Sequence, residues 1–111
     1  TASQLAFHGS ATRAAYAAAK AGMVQFTKSV AAEWAPHGVR VVALAPGRTL
    51  TPMTAASLSN QKQRAEGLKH IPKGRYGNPE EMAKLTLFLA SGLASYIVGE
   101  TVVADGGYIL L

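Results

Sequence analysis

The sequence predicts an α/β fold built on a parallel sheet, and three observations carry that prediction. An alanine-rich helical stretch runs into "VRVVALAPG" (39–47), a short valine-dominated run with no polar alternation, as in strands covered on both faces. Further helical segments follow, and then a second short apolar run, "ETVVADGG", closed by glycines. Strands separated by helices pair in parallel, and ligands of such sheets bind beyond the strands' carboxyl ends. The loop from Pro46 to Thr51 is therefore expected to face a ligand.

Each element has its own signal. Residues 11–35 read as a long amphipathic helix with Met23, Val30 and Trp34 on one face, flanked by Phe26 and stopped by "APHG". Residues 39–47 read as a buried strand between Gly38 and Pro46-Gly47. Residues 53–70 are polar, with Met53, Leu58 and Leu68 as their large apolar groups, and suggest a mobile helical lid. At "NPEEMAKLTLFLASG", Asn78 is a natural N-cap, Pro79 suits the first helical position, and Glu80 and Glu81 favour the positive end of the dipole. Met82, Leu85, Phe88 and Leu89 are expected to form this helix's buried stripe, with Gly92 ending it. A final strand and turn complete the chain.

Composition narrows the function. With 111 residues, 49% hydrophobic and 15% charged, the chain suits one well-packed unit rather than two domains or a disordered segment. No apolar run approaches the roughly 20 residues that cross a bilayer, so the expectation is a soluble, cytoplasmic protein without a membrane partner. The absence of cysteine removes disulfides, thiol catalysis and CxxC metal sites. His8, His37 and His70 lack metal-ligand spacing, so no metal site is expected. The net charge of +5 invites a nucleic-acid reading. The cations are scattered, however, and the one loose cluster, Lys62, Arg64, Lys69, Lys73 and Arg75, is interrupted by Glu66 and has no interleaved aromatics to stack on bases. A basic face toward an anionic cofactor or substrate fits better than nucleic acid.

"YAAAK" (16–20) carries the chemistry. Residues one turn apart on a helix have Cβ atoms roughly 5–6 Å apart, so Tyr16 and Lys20 address the same spot. An ammonium beside a phenol favours the phenolate and brings a weak acid toward the range useful for proton transfer. Read alone, the pair is more readily a ring capping the core beside a solvated lysine, and the motif by itself is weak. Ser3 precedes Tyr16 just past what reads as a strand end, and Pro46, Gly47 and Thr51 form a PGxxxT.

In this order Ser3, "YAAAKAG", "VRVVALAPGRTLT" and "IPKGRYGNPEEMAKLTLFLASGLASYIVGETVVADGG" resemble the short-chain dehydrogenase/reductase family, specifically the branch with 3-oxoacyl carrier-protein reductases and many alcohol and sugar dehydrogenases. The resemblance covers essentially the whole chain. It implies a doubly wound, Rossmann-like parallel sheet and an oxidoreductase that transfers hydride between NAD or NADP and a small alcohol or carbonyl substrate. It further implies that Tyr16 is the general acid/base, that Lys20 tunes it and holds the nicotinamide ribose, and that Ser3 polarises the substrate oxygen. Pro46, Gly47 and the Thr49 backbone would line the nicotinamide, with Thr51 near its carboxamide or the phosphates. The family also implies a homo-oligomer, dimer or tetramer. Thr49 stands where the family usually has isoleucine, and Val42 where it often has asparagine.

Set against family members of about 250 residues, the resemblance begins in mid-domain. The glycine-rich turn for the pyrophosphate, the residue that selects NAD or NADP, and the asparagine of the usual tetrad all lie before the serine. Residues 1–111 therefore read as the C-terminal catalytic half of such a domain with its N-terminal half absent, and are expected to be inactive alone. The alternative is a non-catalytic remnant serving as an assembly or interaction module. Lys62, Arg64 and Lys69 in the lid would suit an anionic substrate such as a carrier-bound acyl thioester, and a solvated helix face explains them equally well.

Overall fold

The computed structural model describes the backbone of residues 1–111 and every side chain except those of Ala56 and Ser57. Helix α1 (Ala14–Trp34) opens the fold. Its alanines lose no side-chain rotamer freedom on becoming helical, which helps it form although Arg13 provides no side-chain cap. The face it buries is not the expected one. Val24, Thr27 and Ala31 are buried, whereas Met23, Phe26 and Trp34 are exposed, Phe26 to 61%. A helix with alanine on most positions offers two apolar stripes, and the smaller side chains are those that fit closely beneath the sheet. A 3-10 turn, Ala35–His37, contains Pro36 and ends at Gly38, whose φ of 77° releases the chain into the first strand.

Strand β1 (Ala43–Pro46) pairs in parallel with β2 (Thr101–Ala104), Ala43 opposite Thr101 and Pro46 opposite Ala104. The strand is shorter than the valine run. Val39 is 44% exposed and lies outside the ladder, although Val41 still accepts a 2.8 Å hydrogen bond from the Gly99 N–H. On the other edge of β1 the Ala2 N–H donates to the Leu44 carbonyl at 2.7 Å. This lays the start of the chain along β1, although residues 1–3 form no strand of the sheet. Ala2, Val24 and Ala45 form the buried core, with Ala6 and Val103 against it.

Between the strands lie three helices. The polar stretch forms two, α2 (Pro52–Ser59) and α3 (Gln61–Lys69), divided at Asn60, whose Oδ1 accepts from the Gln63 N–H at 3.1 Å. Helix α4 (Pro79–Ala90) begins with the expected chemistry: Asn78 and Glu81 form a reciprocal capping box with Pro79 at its first position. Its end differs. Ser91, extended at φ −83° and ψ 168°, terminates it, and Gly92 instead starts the 3-10 turn Gly92–Ala94. Of the expected stripe only Leu89 is buried; Met82 and Leu85 are half-buried and Phe88 is exposed. The chain is therefore α/β with a parallel sheet, as the sequence predicts. Among the described residues no helix is long and apolar enough to cross a membrane.

Candidate active site

Tyr16 and Lys20 share one face of α1. The Lys20 ammonium lies 5.7 Å from the centroid of the Tyr16 ring and donates to the Thr1 carbonyl at 3.0 Å. That bond uses one of its three donors. Tyr16 is 45% exposed, and its hydroxyl has no hydrogen-bond partner among the described residues. Ala19, three residues after Tyr16, and Ala17, three before Lys20, are small neighbours of the pair on the helix surface.

Ser3 is brought to the same region by a short 3-10 turn, Gln4–Ala6, packed against α1. Its side chain caps that turn by accepting from the Leu5 N–H at 3.2 Å. One of its two acceptor lone pairs is thus engaged while the hydroxyl proton is left to donate. Thr12 turns the chain into α1 with φ 64°, a left-handed conformation uncommon for a β-branched residue.

The loop after β1 holds the remaining predicted residues. Gly47 packs so closely that an added Cβ would lie 2.7 Å from both the Asp105 Cβ and the Gln4 Oε1. The buried Thr49 replaces an aliphatic side chain with a hydroxyl that donates to the Gly47 carbonyl at 3.1 Å, satisfying its polarity locally. Its own carbonyl accepts from the Thr54 hydroxyl. A parallel bridge joins Thr49 to Gly77, formed by Gly77 N–H to Arg48 O and Leu50 N–H to Gly77 O, each 2.9 Å. Both bonds leave the Thr49 N–H pointing away from the bridge, without a protein partner among the described residues. Thr51 caps α2, its N–H accepted by the Thr54 hydroxyl at 2.9 Å.

Beyond α3, Arg75 grips Glu81 bidentately, at 2.8 and 2.6 Å, and Glu81 also accepts from the Asn78 N–H at 2.9 Å. The Arg75 guanidinium first, and this backbone bond second, hold the Glu81 carboxyl down to about 2. Lys69 pairs with Glu66 at 2.7 Å, so its charge is already matched within α3.

Sequence reasoning missed four residues. Gln4 is buried beside Gly47 with its Oε1 unpartnered. Asp105 accepts from the Gly107 and Ile109 N–H groups at 2.8 and 3.0 Å and shapes the turn that carries Tyr108. Tyr108 meets the His8 ring edge-to-face at 5.1 Å and the His70 ring at 6.3 Å. Arg48 lies between two cavities, of about 210 and 400 Å³. Only the adjacency of Gln4 to Ser3, and of Arg48 to Pro46-Gly47, hinted at them in the sequence. Among the described residues no group of three metal-ligating side chains converges.

Over residues 1–109 the chain matches the family model described as enoyl-(acyl carrier protein) reductase. It is 54% identical over 99 residues to the 3-oxoacyl-[acyl-carrier-protein] reductase FabG of Chlamydia pneumoniae, covering 89% of this chain and 39% of that protein. It superposes with a TM-score of 0.93 and 31% identity on a gluconate 5-dehydrogenase from Burkholderia cenocepacia in complex with NADP and tartrate, covering 99% of this chain and 43% of that one. A 4-hydroxyisoleucine dehydrogenase complexed with NADH gives a TM-score of 0.94 at 29% identity, with 96% and 44% covered. The chain thus spans about two-fifths of the length of these relatives. With the family model matched almost throughout and a doubly wound enzyme's helix and strand order reproduced, the chain belongs to the short-chain dehydrogenase/reductase family.

Proposed function

We propose that residues 1–111 form the C-terminal catalytic half of an NAD(P)-dependent oxidoreductase that interconverts an alcohol and a carbonyl, with Tyr16 as general acid/base. The observation that carries this reading is the Lys20 ammonium poised 5.7 Å from the Tyr16 ring. In the reducing direction the Tyr16 hydroxyl gives its proton to the substrate oxygen; in oxidation the phenolate takes one. The Ser3 hydroxyl, oriented by the bond it accepts from the Leu5 N–H, donates to the same substrate oxygen and orients it.

The donor set fits a nicotinamide dinucleotide. Lys20 has two N–H groups left for ribose hydroxyls, the unpartnered Thr49 N–H suits a carboxamide, and Pro46 and Gly47 form the adjoining wall. Thr51 stands at the end of that wall. When bound, the nicotinamide supplies or accepts the hydride. The relatives' names support this reading: two solved neighbours hold NADP or NADH, and FabG is named a reductase. A homo-oligomer is part of the proposal.

A second reading, an assembly module without activity, is favoured by the exposed Phe26 and Trp34 on α1. Deuteride transfer separates the two. The chain, joined to a nucleotide-binding half bearing a TGxxxGxG turn, is given C4-deuterated NADPH or NADH and a panel of ketones. Deuterium on the carbinol carbon is expected; cofactor binding with no transfer across the panel contradicts the proposal.

A further inference from the structure

The larger cavity is built from three separate parts of the chain: Arg48 from the loop after β1, Gln63, Glu66, Gly67 and His70 from α3 and its end, and Tyr108 from the turn after β2. Its volume, about 400 Å³, is that of a small-molecule site. The Arg48 guanidinium reaches over α3 because Gly67 has no side chain; a Cβ there would lie 2.5 Å from Arg48 Nη1 and would also collide with the Tyr76 hydroxyl. The buried Tyr76 holds that stretch of α3 in place by donating to the Arg64 carbonyl at 2.9 Å.

The charges of the lining do not cancel. The Arg48 guanidinium makes no hydrogen bond or ion pair among the described residues, whereas the one acid in the lining, Glu66, is paired with Lys69 at 2.7 Å. The Tyr108 hydroxyl and the exposed His70 ring add further donors at the same wall, and Tyr108 is fixed there by its edge contact with His8. A guanidinium offers a planar fork of N–H donors and no acceptor, which matches two oxygens of an oxyanion.

We propose that this cavity is the oxyanion subsite of the substrate, in which Arg48, assisted by His70 and Tyr108, grips a compact carboxylate or phosphate group on the carbonyl compound. The proposal rests on the reading of the chain as an alcohol and carbonyl oxidoreductase, and it replaces the basic lid residues with Arg48 as the determinant of substrate charge. Lys69 is matched within its own helix, and Lys62 and Arg64 do not line the cavity.

Saturation-transfer NMR on the chain tests the subsite without hydride transfer and tolerates association of the protein. Gluconate is the carboxylate probe, sorbitol its neutral counterpart and inorganic phosphate the competitor. Transfer to gluconate and not to sorbitol is expected, falling at least tenfold in Arg48→Met and in Gly67→Ala, retained in part by Arg48→Lys, and unchanged in Lys62→Met. Displacement by equimolar phosphate assigns a general oxyanion site, and resistance to it assigns a carboxylate site. Equal transfer to sorbitol, or full transfer to gluconate in Arg48→Met, overturns the proposal. The same variants in the enzyme joined to its nucleotide-binding half give a second reading. Arg48→Met is expected to raise KM at least tenfold for a keto acid and to leave KM for the matching neutral ketone unchanged; an equal rise for both overturns the subsite while leaving hydride transfer intact.

Discussion

Gly47→Ala probes the junction on which the site depends. The added methyl would sit 2.7 Å from the Asp105 Cβ and from the Gln4 Oε1, and nearer still to the Asp105 Cα. Gly47 does not have a positive φ, so the penalty is steric alone. The obstruction includes backbone, which cannot rotate aside as a side chain would. Relief requires β1 and β2 to part where the Gly47 N–H donates to Ala104 O at 2.9 Å, or Asp105 to release the turn it caps. Overpacking of this kind costs about 1–3 kcal/mol. For a domain of this size, that lowers the melting temperature by about 4 °C or more. Gly22→Ala, in mid-helix with nothing within 4 Å of the added carbon, is the control and should stabilise by about 0.5–1 kcal/mol. Thermal unfolding of the two variants beside the parent, followed by circular dichroism, gives the comparison. If Gly47→Ala melts within about 1 °C of the parent, the close approach of the two strand ends does not exist as described.

Three further outcomes follow from separate parts of the structure. Because Arg75 and the Asn78 N–H hold the Glu81 carboxyl down to about 2, the folded chain binds this proton more weakly than the unfolded chain. The resulting stability is present above the ordinary glutamate range and is lost as pH falls toward about 2, so Glu81→Gln should flatten the decline of the urea midpoint between pH 5 and pH 2.5. Ser3→Ala should lower turnover in the joined enzyme more than Ser3→Thr, which keeps the hydroxyl; equal losses would assign Ser3 a steric role. On the edge of β1 away from β2 the Ala2 N–H meets the Leu44 carbonyl, and just before the strand the Val42 backbone groups have no hydrogen-bond partner among the described residues, leaving them to offer pairing to another chain. The chain alone should therefore associate in size-exclusion chromatography and bind neither NADH nor NADPH at micromolar levels; a stable monomer that binds dinucleotide would contradict this.

Local signals are legible in this sequence and long-range ones are not. Asn78, Pro79 and Glu81 declare a helix start because every partner in the capping box lies within one turn. The lack of alternation around Ala43 to Pro46 marks a buried parallel strand without reference to its partner. The burial of Val24 and Ala31 in place of Met23 and Trp34 depends on what faces α1, and an alanine-rich helix carries no strong preference of its own. Ser91 ends α4 by its extended backbone, a conformation open to any residue and so invisible to a search for glycine. Tyr16 and Lys20 were legible because helical spacing alone joins them. Arg48 was not, since its place depends on the missing side chain of Gly67 in a helix far along the chain.

The central claim is that Tyr16 moves the proton while the rest of the fold binds and positions. Its most direct test is single-turnover reduction of a ketone by the joined enzyme with Tyr16 or with Tyr16→Phe, at saturating NADPH or NADH. Since the Tyr16 hydroxyl makes no hydrogen bond within the described residues, its removal should leave the melting temperature and cofactor affinity unchanged. The rate should fall at least about a hundredfold, the usual contribution of a positioned acid/base. A Tyr16→Phe enzyme that binds cofactor normally and reduces the ketone at near the parent rate would contradict the account.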